Sequence, residues 1–320
     1  MQPLDPIAPA AVRAARRRVQ GLAVRTPLIR LNKEKAPAEI FLKLENLQPI
    51  GSFKIRGAAS ALTNVAAADL ARGVYTASAG NMAQGLAYAA RRRGIACSVV
   101  VPEHAPETKL AAIHRLGAAV IKVPFDEWWR IILTHRFEGL DGLFIHPVSH
   151  PDVIAGNGTI GLEILEDLPD VDTVLVPYGG GGLSCGIATA LRDTHPHVPV
   201  YACEVETAAP LAASLAAGKP VEIQHTPSFV DGIGGRSVLA EMWPLARHLL
   251  AGSLVVSLPE VAAAIRHLLE RNRVLAEGAG AAPVAAALAG QAEGRKIVCV
   301  VSGGNLDISH LCTILAGKVP

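Results

Sequence analysis

The sequence is poor in aromatic and charged residues. Of its 320 residues, 4% are aromatic, 18% are charged and 50% are hydrophobic, and the formal net charge is only +2. So apolar a composition excludes a disordered chain. A near-balance of charge provides no basic surface that would favour nucleic acid or an acidic membrane. We therefore predict a globular protein with neither partner.

No uncharged stretch makes a good membrane-spanning helix. The most tempting one, residues 173–191, contains Pro177 and four consecutive glycines. A signal peptide is also missing from the first residues. The five cysteines are dispersed without any C-x-x-C motif, which is typical of reduced core thiols. These features predict a cytoplasmic protein.

Short apolar runs alternate with helical patterns along most of the chain. Residues 96–101 form a continuous apolar run, which is typical of a strand buried on both faces. Helices are predicted over 106–116, 127–137 and 159–168, and a less regular segment over 210–236. The alternation predicts an α/β fold with parallel sheets. We predict a large domain from residues 1–51 and 146–320, and a small domain from residues 52–145.

The strongest local signal is a strand, then four glycines, then a helix, over residues 174–183. Glycines allow a close backbone approach to an anion, and a helix N-terminus offers free N–H groups. This loop fits neither G-x-G-x-x-G nor the G-x-x-x-x-G-K-[ST] motif of nucleotide triphosphate sites. The pattern favours one phosphate on a small cofactor, and a close-packed turn is the alternative.

A second interpretation overlaps this loop. Residues 182–186 match G-x-S-x-G, the nucleophile elbow of hydrolases, with Ser184 as the nucleophile. An elbow places its serine at the turn. Here the glycines already form the turn, so Ser184 is expected inside the helix. An α/β hydrolase stays a distant alternative.

Three further motifs contain groups suited to chemistry. Lys54 follows Phe53 at a loop-to-helix junction, where a partly desolvated amine is a good nucleophile. Residues 78–85 combine serine, asparagine and small residues at a helix start, a pattern suited to binding a carboxylate. Ser302 follows an apolar strand, at the end where open α/β sheets bind ligands.

Together these motifs closely resemble pyridoxal-phosphate (PLP) enzymes of the tryptophan synthase β-like fold, fold type II, in the threonine/serine dehydratase and serine racemase branch. Residues 25–28, 231–234 and 276–280 add to the resemblance, which follows family order over nearly the whole chain. It implies two parallel-sheet α/β domains with PLP in the cleft between them. It also implies a homodimer that acts on a small amino acid.

The resemblance assigns roles to individual residues. It implies Lys54 and Ser78 as catalytic residues, with Lys54 binding the cofactor covalently and taking the α-proton. The implied cofactor-binding residues are Phe53, Lys54, Asn81, Gly179, Gly180, Gly181, Gly182, Leu183, Gly234 and Ser302. The implied substrate-binding residues are Ser78, Ala79, Gly80, Asn81 and Gln84.

The chain departs from the family pattern at several positions. Met82 stands where the dehydratase loop has histidine, and Ala79 stands where racemases have a second serine. A racemase therefore ranks below a dehydratase. Glu204 and Ala208 are weak candidates for a cation site. Because Pro210 replaces an acidic ligand, a strong divalent site is not expected, and a monovalent cation stays open.

Phe125, Trp128 and Trp129 form an aromatic cluster in a chain with few aromatics. They either fill the core of the small domain or line a pocket for a bulky substituent such as phenyl. The chain ends soon after Ser302, so no C-terminal domain for feedback control is expected. We predict a PLP-dependent ammonia-lyase for an L-β-hydroxy amino acid, threonine or serine. A phenylserine-type dehydratase and a serine or amino-acid racemase are the alternatives.

Overall fold

The computed structural model describes residues 3–105 and 107–320, which form ten strands and thirteen α-helices. The strands are β1 (Leu28–Arg30), β2 (Glu39–Leu44), β3 (Val74–Ala77), β4 (Cys97–Pro102), β5 (Ala119–Val123), β6 (Leu143–Phe144), β7 (Thr173–Pro177), β8 (Val200–Val205), β9 (Gly252–Val256) and β10 (Lys296–Val301). The helices are α1 (Pro9–Val19), α2 (Lys54–Thr63), α3 (Ala67–Leu70), α4 (Asn81–Arg92), α5 (Glu107–Arg115), α6 (Phe125–Thr134), α7 (Pro151–Asp167), α8 (Ser184–Arg192), α9 (Pro210–Ala217), α10 (Trp243–Leu249), α11 (Leu258–His267), α12 (Gly278–Leu288) and α13 (Ile308–Leu315). The predicted first residue of α5, Pro106, lies outside the described residues.

The larger sheet has six strands in the order β1-β2-β10-β7-β8-β9. All of its neighbours pair in parallel except β1, which runs antiparallel to β2. Strand β10, near the C-terminus, lies between β2 and β7 with Ile297 opposite Ile40. Strands from the two ends of the chain thus meet in one sheet, and its five parallel strands have their carboxyl ends along one edge.

The smaller sheet has four parallel strands in the order β5-β4-β3-β6. All four come from the stretch between Val74 and Phe144. Two parallel-rich sheets with intervening helices confirm the predicted α/β class. The residue limits of the two domains stay a prediction.

Many of the apolar residues lie in strands and helices that are buried on all sides. All five residues of β7 are buried, and most of α12, which is rich in alanine, is buried as well. Small side chains let such helices lie close to a sheet. Within the described ranges, none of the helices has the length and apolarity needed to cross a membrane.

Helix α7 begins at Pro151, eight residues before its predicted start. The added turns contain glycines, which are poor helix formers but serve close packing here. A Cβ on Gly156 would lie 2.4 Å from the backbone oxygen of Arg56, and one on Gly158 would lie 2.6 Å from that of Gly186. The glycines therefore let α7 lie against α2 and α8, and tertiary packing outweighs helix propensity.

The segment predicted as irregular, 210–236, is partly helical. It contains α9, which begins with Pro210 at a position where proline is favoured, and a short 3₁₀ helix at Asp231–Ile233. The remainder is extended or turn structure, so the prediction is wrong for its first eight residues.

A buried group of four charges holds α2 against the large sheet. Arg56 donates to Glu45 at 2.8 Å and to Glu163 at 2.7 Å, and Lys43 lies 2.6 Å from Glu163. Lys43 also donates to the backbone oxygen of Thr26 at 2.6 Å. Burial alone would raise the pKa of Glu45, but Arg56 holds it below its usual value. The charges of two cations and two carboxylates thus balance each other close to the start of α2, where Lys54 lies.

Candidate active site

A cavity of about 560 Å³ opens between the two sheets. Residues just past the ends of three parallel strands line it: Ser78 after β3, Gly179 after β7 and Ser302 after β10. Open α/β sheets bind ligands at the carboxyl ends of their strands. Its position and its size, which lies in the range usual for small-molecule pockets, make this cavity the candidate active site.

The glycine loop forms one wall of the cavity, directly before the N-terminus of α8. A Cβ on Gly180 would lie 2.6 Å from a methyl carbon of Val148, and Gly181 has a φ of +94° that side chains rarely adopt. The backbone of the glycine loop thus lies so close to the surrounding side chains that only the hydrogen atoms of glycine fit between them. Such a loop at a helix N-terminus binds a phosphate group.

Ser184 does not occupy the position of a hydrolase nucleophile. It is the first residue of α8, it is wholly buried, and its hydroxyl donates to the backbone oxygen of Gly181 at 3.3 Å. It is also not among the residues that line the cavity. The structure therefore gives no support to the hydrolase alternative.

Lys54 begins α2 and is half-buried in the cavity wall. Its Nζ donates to the backbone oxygen of Pro147 at 2.9 Å and lies 5.2 Å from the centre of the Phe53 ring. Desolvation by burial lowers the pKa of Lys54 to about 8, although the carboxylate of Glu277 acts in the opposite direction. About a tenth of the amine is therefore free base at pH 7, far more than for a solvated lysine, and the free base is the form that acts as a nucleophile.

The turn between β3 and α4 forms the opposite wall. The hydroxyl of Ser78 accepts from the backbone N–H of Gly80 at 3.2 Å, and α4 begins at Asn81. The Asn81 amide donates to Glu277 at 2.9 and 3.1 Å, and its oxygen accepts from Asn305 at 2.7 Å. Both the nitrogen and the oxygen of the Asn81 side-chain amide are thus held by hydrogen bonds.

These groups fit pyridoxal phosphate. Its aldehyde needs an amine, its phosphate needs backbone N–H groups, and its ring nitrogen needs a polar neighbour. The cavity offers the amine of Lys54, the glycine loop and the neutral hydroxyl of Ser302. The backbone oxygen of Ser302 accepts from the N–H of Phe53 at 2.9 Å, which ties the Ser302 strand end to the residue preceding Lys54.

Most of the predicted site residues lie around this one cavity: Phe53, Lys54, Ser78, Ala79, Gly80, Asn81, Gly179, Gly180, Gly181, Gly182, Leu183, Gly234 and Ser302. Gln84, Glu204 and Ala208 are not among the lining residues. The Glu204 carboxylate accepts from two N–H groups at the start of α9, of Leu211 and Ala212, and from the hydroxyl of Ser253. Protein donors already bind its oxygens, so this donor set does not fit a divalent cation.

Sequence reasoning assigned no role to several residues that line the cavity. Glu277 is buried, and desolvation raises its pKa to about 7. Lys109 of α5 forms an ion pair with Asp231, which joins the two sides of the cavity. The motif containing Glu277 was visible in the sequence, but its hydrogen bond to Asn81 depends on tertiary structure.

A titratable cluster lies beside the cavity: His135, His146 and Glu241. His146 lines the cavity, and burial lowers its pKa to about 3. Its Nδ1 accepts from the N–H of Ser149 at 2.7 Å, so the neutral ring has its hydrogen on Nε2 and no lone pair there for a metal. His135 stacks on His146 with ring centres 4.4 Å apart and lies 3.8 Å from Glu241. The cluster thus connects the end of α6 to the segment before α10.

Comparisons with known proteins agree with this geometry. The family model described as pyridoxal-phosphate dependent enzyme matches residues 19–303. An L-threonine ammonia-lyase of Geobacter sulfurreducens is 43% identical over 91% of this chain and 74% of its own length. The catabolic L-threonine dehydratase of Escherichia coli K12 is 38% identical over 97% of this chain and 96% of its own length. The solved serine racemase of Dictyostelium discoideum has a TM-score of 0.86 at 32% identity, covering 94% of this chain and 99% of its own.

Proposed function

The chain belongs to the pyridoxal-phosphate dependent enzyme family, and on that basis we propose that it is an ammonia-lyase for L-threonine and L-serine. The observation that carries the proposal is that Lys54 lines one cavity together with the glycine loop and Ser302. Relatives at 43% and 38% identity named as threonine ammonia-lyase and threonine dehydratase support the choice of substrate.

In this proposal the cofactor is held between the two walls of the cavity. Lys54 would bind it covalently, the N–H groups of residues 179–183 would bind its phosphate, and Ser302 would lie at its ring nitrogen. When bound, the cofactor supplies an electron sink for the carbon that loses its proton.

The chain's own residues supply positioning and proton transfer. The N-terminus of α4, with the small residues of the Ser78 turn, orients the substrate carboxylate. Lys54 accepts the α-proton, and its lowered pKa keeps it able to do so near neutral pH. Ser302 is neutral, so no charged partner faces the ring nitrogen.

The products follow from atom balance. The α C–H and β C–O bonds break, the β-hydroxyl leaves as water, and the enamine that is released rearranges to an imine. Water then adds to the imine, and ammonia leaves. One L-threonine gives one 2-oxobutanoate and one ammonia, and one L-serine gives one pyruvate and one ammonia.

A racemase is the weaker alternative. Ala79 lines the cavity at the position where racemases of this branch have a serine, and alanine has no group that returns a proton. We also propose, from the family resemblance, a cytoplasmic homodimer.

The decisive experiment measures 2-oxo acid release from L-threonine and L-serine by the purified protein, with its visible spectrum recorded first. We expect a yellow protein that releases a 2-oxo acid, and a Lys54→Ala variant that does neither. A yellow protein that instead interconverts the two serine enantiomers would favour the racemase. A colourless protein that gains no chromophore with added pyridoxal phosphate would refute the proposal.

A further inference from the structure

Helix α6 presents one apolar face to the active-site cavity. Four of its residues line the cavity: Phe125, Trp128, Trp129 and Ile132. Their spacing of three, four and seven residues from the first places them on one side of a helix. We call these four residues the aromatic wall. Asp126 and Arg130, which lie between these positions in the sequence, are exposed on other faces of the helix.

The wall is continuous. The rings of Phe125 and Trp128 have centres 5.7 Å apart, and those of Trp128 and Trp129 are 6.2 Å apart. Such distances are typical of aromatic pairs in contact. The ring of His104 extends the row, with its centre 6.0 Å from that of Phe125. An apolar surface about three rings long therefore borders the space next to the carboxylate-binding turn.

The wall does more than fill the core of the small domain. Trp128 and Trp129 pack on that core but stay only partly buried, and Phe125 is 37% exposed. Full burial of such side chains would stabilise the fold further, so their position toward the cavity leaves apolar area for another molecule to cover. Two hypotheses were open for this cluster, filling the core or lining a pocket. Only the pocket hypothesis explains why part of these aromatic side chains stays exposed.

The wall is also held in place. His135, the residue that follows α6, has a positive φ of 58° and stacks on His146 in the cavity lining. His135 also lies 3.8 Å from Glu241, in the segment before α10. Because Glu241 is buried and the His135 ring also stacks on buried His146, the C-terminal end of the helix is held beside the cavity.

We propose that the preferred substrates are L-3-hydroxy amino acids with an aryl group on the β-carbon, which the aromatic wall covers. This inference rests on the proposed ammonia-lyase activity and extends its substrates beyond threonine and serine. Threonine places only a methyl group at that position and leaves most of the wall in contact with water. A phenyl group can stack on Trp128 or Trp129.

The reaction has the same atom balance as for threonine. In L-phenylserine the α C–H and β C–O bonds break, and the hydroxyl leaves as water. The enamine becomes an imine, which takes up water and loses ammonia. The products are one phenylpyruvate and one ammonia, with no oxidant or reductant.

The test compares kcat/KM for L-threo-3-phenylserine and L-threonine in the enzyme loaded with cofactor. We expect the ratio to favour phenylserine by roughly tenfold or more, as a contact with an apolar pocket typically gives. Trp129→Ala and Phe125→Ala are each expected to lower this ratio by about tenfold. Leu133→Ala is the matched control, because Leu133 is on the same helix, is 41% exposed and lies outside the cavity lining. It should leave the ratio within about twofold.

A ratio of two rates in one preparation does not change if part of a variant fails to fold. If threonine reacts and phenylserine reacts more slowly, the inference is overturned and the ammonia-lyase stands. The same holds if phenylserine is preferred but both wall variants keep the ratio of the unmodified enzyme. If the yellow protein releases no 2-oxo acid from either amino acid, the ammonia-lyase itself is refuted.

Discussion

The buried charge group around Arg56 gives a sharp prediction for stability. Glu163 is the partner of two cations there, Arg56 at 2.7 Å and Lys43 at 2.6 Å, and its side chain is 10% exposed. Glu163→Gln keeps the shape of the side chain but removes its charge. Two buried cations would then have Glu45 as their only buried carboxylate, since Asp167, 3.7 Å from Lys43, is 26% exposed and also pairs with Arg25. Leaving one buried charge uncompensated typically costs about 3–5 kcal/mol of unfolding free energy.

A matched control is present on the same helix. Glu166 of α7 also pairs with two cations, Arg16 and Arg25, but its side chain is 39% exposed. Solvent screens such pairs, so Glu166→Gln should cost at most about 1 kcal/mol. The two variants carry the same substitution with the same number of partners and differ mainly in burial.

Thermal unfolding followed by circular dichroism, at one scan rate, measures both variants. At about 2 °C per kcal/mol for a chain of this size, Glu163→Gln should lower the midpoint by roughly 6–10 °C and Glu166→Gln by about 2 °C or less. Adding Lys43→Met to Glu163→Gln restores charge balance and should recover part of the loss. Equal shifts for the two single variants, or no recovery in the double variant, would refute the argument from buried charge.

Three further predictions concern the cavity. Lys54→Ala should abolish covalent attachment of pyridoxal phosphate, whereas Lys122→Ala, on the surface, should keep it; the visible spectrum after desalting distinguishes them. Gly180→Ala should weaken cofactor binding by roughly tenfold or more, since its Cβ would lie 2.6 Å from a side-chain carbon. Gly179→Ala should weaken it less, because the nearest atom is 3.4 Å away, and equal losses in a titration would contradict this account. Glu277 has a pKa raised from 4.5 to about 7, so the folded cofactor-free protein binds more protons than the unfolded chain between these values. Its stability should fall as pH rises across that window, and Glu277→Gln should reduce this slope; an unchanged slope in urea unfolding would count against it.

The fold class was predictable because it depends on local patterns. Buried parallel strands are continuous apolar runs, and β4 (Cys97–Pro102) lies within one residue of the apolar run at 96–101. The predictions that were wrong concern features that depend on contacts between residues distant in the sequence. Gly156 and Gly158 weaken a helix in isolation, and only the backbones of α2 and α8 explain why α7 includes them.

The candidate site was predictable from the sequence to the same extent as the fold. The glycine loop and the residues around Lys54 and Ser302 are short motifs, and the sheet brings their strand ends together. Glu277 received no role, because its significance comes from a hydrogen bond to Asn81 across 196 positions of sequence. A raised pKa of this kind comes from burial, which composition alone does not give.

The boundary of one helix matters most for the substrate. We predicted α6 over 127–137, which leaves Phe125 in a loop, whereas the helix begins at Phe125 and ends at Thr134. Pro124 before it, with Asp126 and Glu127 in the first turn, is a normal helix start, and the acidic residues favour the positive end of the dipole. Moving the start by two residues puts Phe125 on the same face as both tryptophans. That shift turns a scattered aromatic cluster into a wall of the active site.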